Sequence, residues 1–281
     1  MLQKDRHPNR DLFVADFATW SLKDDQASME HPLFSLSKNP DQVTRHYEHN
    51  GSTVTIAPGN HGMPTIWDKD ILIFCCSQLV EGMKRGREPK REIVFPAYEF
   101  LVSTNRSTGR GYQLIISALK RLSGVLITTN IETGGEIEDK GFHLIGEWEA
   151  KYTVKGDRIQ HILVELPRWL FRAVTNLEVL TLNGDFFRLD GGLDRRLYEL
   201  SRKHCGIQAK WSIGIPLLHK KSGSTAPLKR FRQAVKSIAR PDEMAELLDY
   251  RLRFDVPHDR LDVYSTGQKG SLKAIKDILG Q

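Results

Sequence analysis

Between Thr225 and Arg240 the chain reads TAPLKRFRQAVKSIAR; five of these sixteen residues are Lys or Arg and none is acidic. Cations gathered in this way do electrostatic chemistry: they hold a polyanion. On a helix turning about 100° per residue, Leu228, Phe231, Ala234, Val235 and Ile238 fall on one side, a candidate core face. Lys229, Arg232, Lys236 and Arg240 fall on the other, with Gln233 and Ser237 beside them. Surface helices commonly alternate charge signs, because opposite charges at i,i+4 contribute about 0.2–0.5 kcal/mol and like charges cost a similar amount. Positions 232, 236 and 240 form a repelling series, and an external anion would relieve it. A solvated charged face is the competing reading.

The charge distribution favours the polyanion. From Arg195 to Arg240 there are twelve Lys or Arg and one acid, Glu199, a surplus of eleven. The whole chain carries only +6, so the remainder sums to −5. A localised field of this kind suits a phosphate backbone. Thr225 can cap the helix and Pro227 fits its first turn, while Lys220 and Lys221 in the preceding turn would reach phosphates. Arg230 adds to the same surface. Arg232 can pair with guanine edges and Gln233 with adenine, and either residue can instead contact backbone.

Other chemistries find little support. His46-x-x-His49 lacks two further donors at ligand spacing, and no Cys-x-x-Cys or His-Glu-x-x-His occurs, so no metal or other cofactor is expected. There is no Gly-x-x-x-x-Gly-Lys-Ser/Thr loop for a nucleotide, nor the His-hydrophobe-His pair upstream of a helical tyrosine that a DNA-nicking enzyme needs. A non-enzymatic protein is expected. Cys75 and Cys76 sit side by side in an apolar helical run and read as small core residues; three cysteines suit a reducing compartment. No run of about 18 apolar residues exists to span a membrane. The start, MLQKDRHPNRDLF, does not resemble a secretory signal, so a cytoplasmic location is expected.

The elements that must position the basic helix follow from periodicity. Residues 1–30 read as an arm whose one apolar patch is LFVADFATW. A first domain, 31–155, holds a strand in GSTVTIAPG, an apolar helix in TIWDKDILIFCCSQLVEGMKRG, a strand in EIVFPA, helices in AYEFLVST and GRGYQLIISALKRLSG, and a hairpin in VLITTNIETGGEIEDKGFHLIGEW around Gly134-Gly135. A second domain, 156–266, holds a helix in LPRWLFRAVT, a hairpin at Asn183-Gly184, a helix closed by Gly206, the segment WSIGIPLLHKKSGS, the basic helix and a last hairpin from Tyr250 to Ser265. In that hairpin Tyr250, Leu252, Phe254 and Val256 alternate with Arg251, Arg253 and Asp255, giving a core face and a basic, polar face. A tail, 267–281, has the pattern of a short amphipathic helix. WDKDILIF and LDRRLYEL open the long helices of the two domains in a faint echo. The expected fold is α+β: two tandem winged helix-turn-helix domains with β-hairpin wings.

In the first domain the equivalent helix buries Tyr112, Ile115, Ala118, Leu119 and Leu122 and exposes Gln113, Ser117 and Lys120, with Arg110 and Arg121 near its edges. It is less basic, and a structural or dimer-facing role stands beside DNA contact.

The stretches DLFVADFATWSLKDDQASMEHPLFSLSK, GRGYQLIISALKRLSGVLITTNIETG, LTLNGDFFRLDGGLDRRLYELSRKHCG and PLKRFRQAVKSIA, with W-x-I-x-I-x-x-L-x-x-K-S-G-S between the last two, resemble the replication initiator protein A family of bacterial plasmids. The resemblance runs from about Asp11 to Thr266. It implies kinship with iteron-binding initiators, in which a carboxyl-terminal winged helix makes the main contact to repeated origin sites and an amino-terminal one adds contacts or forms a dimer interface. Lys229, Arg232, Gln233, Lys236 and Arg240 would then lie on the main recognition helix, and Arg110, Gln113 and Lys120 on the secondary one. The implied function is plasmid replication initiation: binding double-stranded plasmid origin DNA, straining it until an AT-rich region opens, and recruiting the host initiator and replicative helicase. A homodimer and a part in plasmid copy number belong to the same expectation. A winged-helix transcriptional repressor, acting on its own gene among others, is the alternative.

Overall fold

The computed structural model describes residues 2–8, 21–49, 52–133, 136–153, 158–240 and 243–279. The LFVADFATW patch and the Gly134-Gly135 turn lie outside them. The chain forms two compact units, one of residues 3–25 and 33–188, the other of residues 1–2, 26–32 and 189–281. Among the described residues no helix is long and apolar enough to cross a membrane.

The first unit opens with β1 (Lys23–Asp25); the chain then passes through α1 (Gln26–Glu30), which belongs to the second unit, and returns for β2 (Arg45–His49) and β3 (Ser52–Ala57). Its core is built around α2 (Lys69–Lys84), buried on nearly every side because Ile71 to Cys76, Leu79 and Val80 leave no polar stripe. Around it stand β4 (Glu92–Pro96), α3 (Ala97–Ser103) and α4 (Gly111–Gly124), followed by hairpins β5 (Leu126–Thr133) with β6 (Glu136–Phe142) and β7 (Trp148–Tyr152) with β8 (Ile159–Glu165). The unit closes with α5 (Arg168–Thr175) and β9 (Val179–Thr181). Phe74, Phe95 and Phe100, from α2, β4 and α3, meet in tilted and edge-on contacts at centroid separations of 4.9–5.9 Å, fixing the helix-turn-helix against its strand.

The second unit runs α6 (Gly192–His204), β10 (Lys210–Gly214), α7 (Ile215–Ser222), α8 (Leu228–Ala239), β11 (Ala245–Leu247), β12 (Tyr250–Asp255), β13 (Arg260–Ser265) and α9 (Gln268–Leu279). Its antiparallel sheet has the order β10-β13-β12-β11. The first unit repeats this logic: after α2 come β4, α3 and α4, then a hairpin whose strands give the order β4-β8-β7. In both, the strand before the helix-turn-helix pairs with the second strand of the wing. The fold is α+β and each unit is a winged helix.

Several expectations are corrected. The wing of the first unit is β7 with β8; the β5–β6 hairpin is present but joins β2 and β3 in a separate sheet. The units divide at 188/189 because a boundary at 155/156 would cut that wing, whose β8 is the central strand between β4 and β7. Residues 1–30 are not one arm: β1 pairs with β9, and α1 packs on α6. No hairpin forms at Asn183-Gly184; the Asn183 carbonyl accepts from the Phe186 amide at 3.0 Å and a 3₁₀ turn follows. The helices opened by the WDKD and LDRR echo share one device, since Lys69 and Arg195 are both buried. Lys69 pairs with Asp24 at 2.6 Å, and Arg195 donates to the Leu189 carbonyl at 2.8 Å.

In the second unit Arg196 gathers two helix ends. Its guanidinium donates to the Met29 carbonyl of α1 at 2.9 Å and to the Lys221 carbonyl of α7 at 2.7 Å, and pairs with Glu199 at 3.0 Å. Those carbonyls are among the groups that a helix C-terminus leaves without intrahelical partners. Glu30 lies against His204 and Lys221. The hydrogen bond from His204, and after the opposing cost of burial that from Lys221, hold its carboxyl far below the usual range.

Lys69→Met should destabilise the first unit by about 3–5 kcal/mol, because it strands the buried Asp24 charge; urea unfolding of the whole chain measures it. A carboxyl whose folded pKa is depressed contributes stability above its unfolded pKa and loses it as pH falls. Glu30→Gln should therefore flatten the acid limb of a Tm-against-pH curve from about pH 5 downward.

Candidate nucleic-acid interface

In the second unit α7 and α8 form a helix-turn-helix. Gly223 ends α7 in the left-handed region at φ +72°, a conformation that a Cβ would disfavour. His219 spans the turn, its Nε2 lying 2.8 Å from the Ala226 carbonyl oxygen and its ring 4.8 Å from that of Phe231. Pro227 is the cap residue of α8, and the Phe231 amide donates to its carbonyl at 3.0 Å. The expected capping by Thr225 does not occur: the helix starts later, without a side-chain cap.

Phe231, Val235 and Ala239 are the buried residues of α8, which packs on β12. The most exposed positions are Lys229, Arg230, Gln233, Ala234, Ser237 and Arg240, so Ala234 leaves the expected core stripe. The cationic stripe is also displaced from the centre of the exposed face, because its middle residues lean on the wing. Arg232 forms a forked pair with Asp259 in the β12–β13 turn, Nε to Oδ1 at 2.7 Å and Nη2 to Oδ2 at 2.8 Å. Lys236 Nζ stands 5.0 Å from the centre of the Phe254 ring, and Arg240 pairs with Glu243. The Arg232 hydrogen bonds, with its charge and that of Lys236, hold the Asp259 carboxyl below its ordinary range despite some burial. The repulsion among 232, 236 and 240 is thus answered within the protein.

Lys221, expected to reach a phosphate, is likewise engaged, paired with Glu30. Lys220, Lys229, Arg230 and Gln233 are exposed, and no hydrogen bond or ion pair engages their side chains within the described residues. Arg251 and Arg253 do not form an open basic face. They donate to Ser271 Oγ at 3.1 Å and the Asp277 carbonyl at 3.3 Å, both in α9, which covers the sheet. Lys210 joins the same cover, pairing with Asp262 at 2.8 Å and Asp277 at 2.7 Å. Val256 sits exposed at the tip of the hairpin and not in the core.

In the first unit α4 exposes Arg110, Gln113 and Lys120, while Tyr112 is half-buried. Gly111 is needed where α4 crosses α3, since a Cβ there would lie 2.5 Å from Leu101 Cδ2. Arg121, expected near the edge of the exposed face, forks its guanidinium onto the buried Asp68 with both distances 2.7 Å, tying α4 to the start of α2. Arg106 pairs with Asp70 at 2.9 Å. Sequence reasoning missed Lys151, Tyr152 and Arg158, all exposed on the first wing. The run KYTVKGDR carried that signal, but it was placed at a domain boundary. It missed Asp259 as well, which lies outside the basic segment. His46, on β2, has Nδ1 3.0 Å from Thr55 Oγ1, and among the described residues no group of three metal-ligating side chains converges.

Two winged helices, one presenting free cations on the second helix of its helix-turn-helix, define a DNA-binding protein of the winged-helix class. A model of the family described as replication initiator protein A matches residues 23–252. A "Putative replication protein" of Wigglesworthia glossinidia brevipalpis is 36% identical over 255 residues, covering 89% of this chain and 91% of that one. The chain belongs to the replication initiator protein A family, and its role is in the initiation of replication. Among solved structures, a selenomethionine form of domains 2 and 3 of RctB matches with a TM-score of 0.62 at 9% identity, covering 86% of this chain and 99% of that one. A second structure of those domains gives 0.56 at 10%, covering 85% and 97%. At such identities the likeness is one of fold.

Changing Lys229 and Arg230 together to Ala should weaken binding to any duplex and lower the salt slope of log K by about two, given about 0.9 per phosphate contact. Lys221→Ala and Arg121→Ala should leave that slope unchanged and lower thermal stability. Titrations of a mixed-sequence duplex at several salt concentrations, with melting curves, separate the two behaviours.

Proposed function

We propose that the protein initiates plasmid replication by binding repeated double-stranded origin sites with α8 of the second unit as its main reading helix. What carries this reading is the set of unengaged side chains at Lys229, Arg230 and Gln233, on the reading helix of a winged helix in a member of this family. Lys220 adds a phosphate contact from α7, and Arg232 contributes an edge already aimed by the wing. Arg110, Gln113 and Lys120 of α4 supply a weaker second contact, or a face for a second copy. Bound to adjacent repeats, the protein bends the duplex; deformation costing about 1–6 kcal/mol is offset by the added contacts and favours opening of a neighbouring AT-rich tract. The host initiator and replicative helicase then load. The protein itself makes and breaks no bond and works in the cytoplasm.

Footprinting on the DNA around its own gene tests this reading. Protection of tandem direct repeats, with permanganate-reactive thymines in a nearby AT-rich stretch, is the expected result. Protection confined to one inverted repeat in a promoter, without melting, would make it a repressor. A covalent tyrosyl adduct on supercoiled origin DNA with a divalent metal ion would overturn the non-catalytic reading.

A further inference from the structure

The Arg232–Asp259 pair is geometrically demanding for a contact at the surface, where ion pairs contribute little to stability. Arginine has five N–H donors in a planar fork. Asp259 takes two of them, one on Nε and one on Nη2. Three remain, and the outward edge keeps one hydrogen on Nη1 and one on Nη2, the parallel pair that matches N7 and O6 of guanine. The residue that carries the carboxylate is itself pinned through its backbone on both sides. Asp259 sits at φ +46°, its amide donates to the Val256 carbonyl at 3.3 Å, and its carbonyl accepts from the Ile215 amide at the start of α7 at 2.9 Å. The wing turn, the first helix of the helix-turn-helix and the guanidinium of the second are therefore one connected assembly.

We propose that Asp259 is a positioning residue that fixes Arg232 side-on, so that its free edge reads a single guanine in the major groove. This rests on the proposal that α8 reads duplex DNA. The pairing also cancels most of the charge of Arg232, so this arginine acts through base discrimination while Lys229 and Arg230 supply the salt-dependent attraction to phosphate. A lysine at 232 would keep the charge and lose the fork.

Selection from a pool of random duplexes by the full-length protein, followed by comparison of variants on the selected site, tests the proposal. Asp259→Asn keeps the size of the side chain and a residue type that tolerates the left-handed region, and Arg232→Lys keeps the charge. Both should lower the preference for guanine at one and the same position by about tenfold, the double variant should lose no more than either single one, and the salt slope of Arg232→Lys should equal that of the parent. If Arg232→Lys loses that preference and Asp259→Asn keeps it, Arg232 reads the base without help and the positioning role is overturned. If neither variant changes the selected site, Arg232 is not a reader and the proposal fails outright. If the parent protein selects no site from the pool, it is the reading of α8 as a sequence-specific helix that fails.

Discussion

A helix with five cations and no acid between its flanking turn and its end cannot neutralise itself, and the architecture of the second unit answers this from outside α8. Asp259 comes from the wing turn, Glu243 from the residues after the helix, and the Phe254 ring from β12. Asp259 and the Phe254 ring are placed by the sheet, so for Arg232 and Lys236 electrostatic relief and wing position are the same requirement. A wing that moved away would leave Arg232 and Lys236 repelling at i,i+4 spacing. A wing that stays holds the reading helix, the turn before it and the hairpin after it in one arrangement.

Both units use cations in this positional way at greater depth. Arg121 on Asp68 ties α4 to α2, Arg106 on Asp70 does the same for the segment after α3, and Arg196 draws together the carboxyl ends of α1 and α7. Buried ion pairs gain little net stability over apolar replacements, since desolvation offsets attraction, but removing one partner is costly. Such pairs specify which helices may meet. Lys69, at the opening of α2, takes its partner Asp24 from β1, so the amino-terminal strand is selected by charge as much as by its short ladder with β9.

The long elements were legible in sequence. The 3.6-residue pattern marks α4, α6 and α8, an unbroken apolar run marks α2, β-branched residues mark β5, the alternation of apolar and charged residues marks β12, and the fold class followed from their order. Partner choice between strands was not legible: only β5–β6 reads as a hairpin, β7 and β8 fall on either side of the expected 155/156 boundary, and nothing local states which strand joins β4. The crossing of α1 into the second unit was hidden for a like reason: its attachment depends on Arg196 donating hydrogen bonds to the carbonyls of α1, and backbone carbonyls leave no mark in a sequence. On α8 the helical wheel separated Phe231 and Val235 from the cations correctly. It could not show that Arg232 and Lys236 stand on the flank toward the wing.

The same separation changes what the local charge means. Of the twelve cations from Arg195 to Arg240, Arg195, Arg196, Arg202, Lys203, Lys210, Lys221, Arg232, Lys236 and Arg240 are engaged by carbonyls, acids, an amide, a phenol hydroxyl or a ring of the second unit. Lys220, Lys229 and Arg230 are not, within the described residues. A surplus of eleven in sequence therefore becomes three unengaged cations. They lie on either side of one turn, at the end of α7 and the start of α8, where α8 also lacks an acid in its first turn and a side-chain cap. The helix dipole adds positive potential at that same end. Phosphate attraction is thereby concentrated at the amino end of α8, and the base-reading burden falls on the side chains just beyond it, Arg232 and Gln233, one aimed by the wing and the other free to adapt.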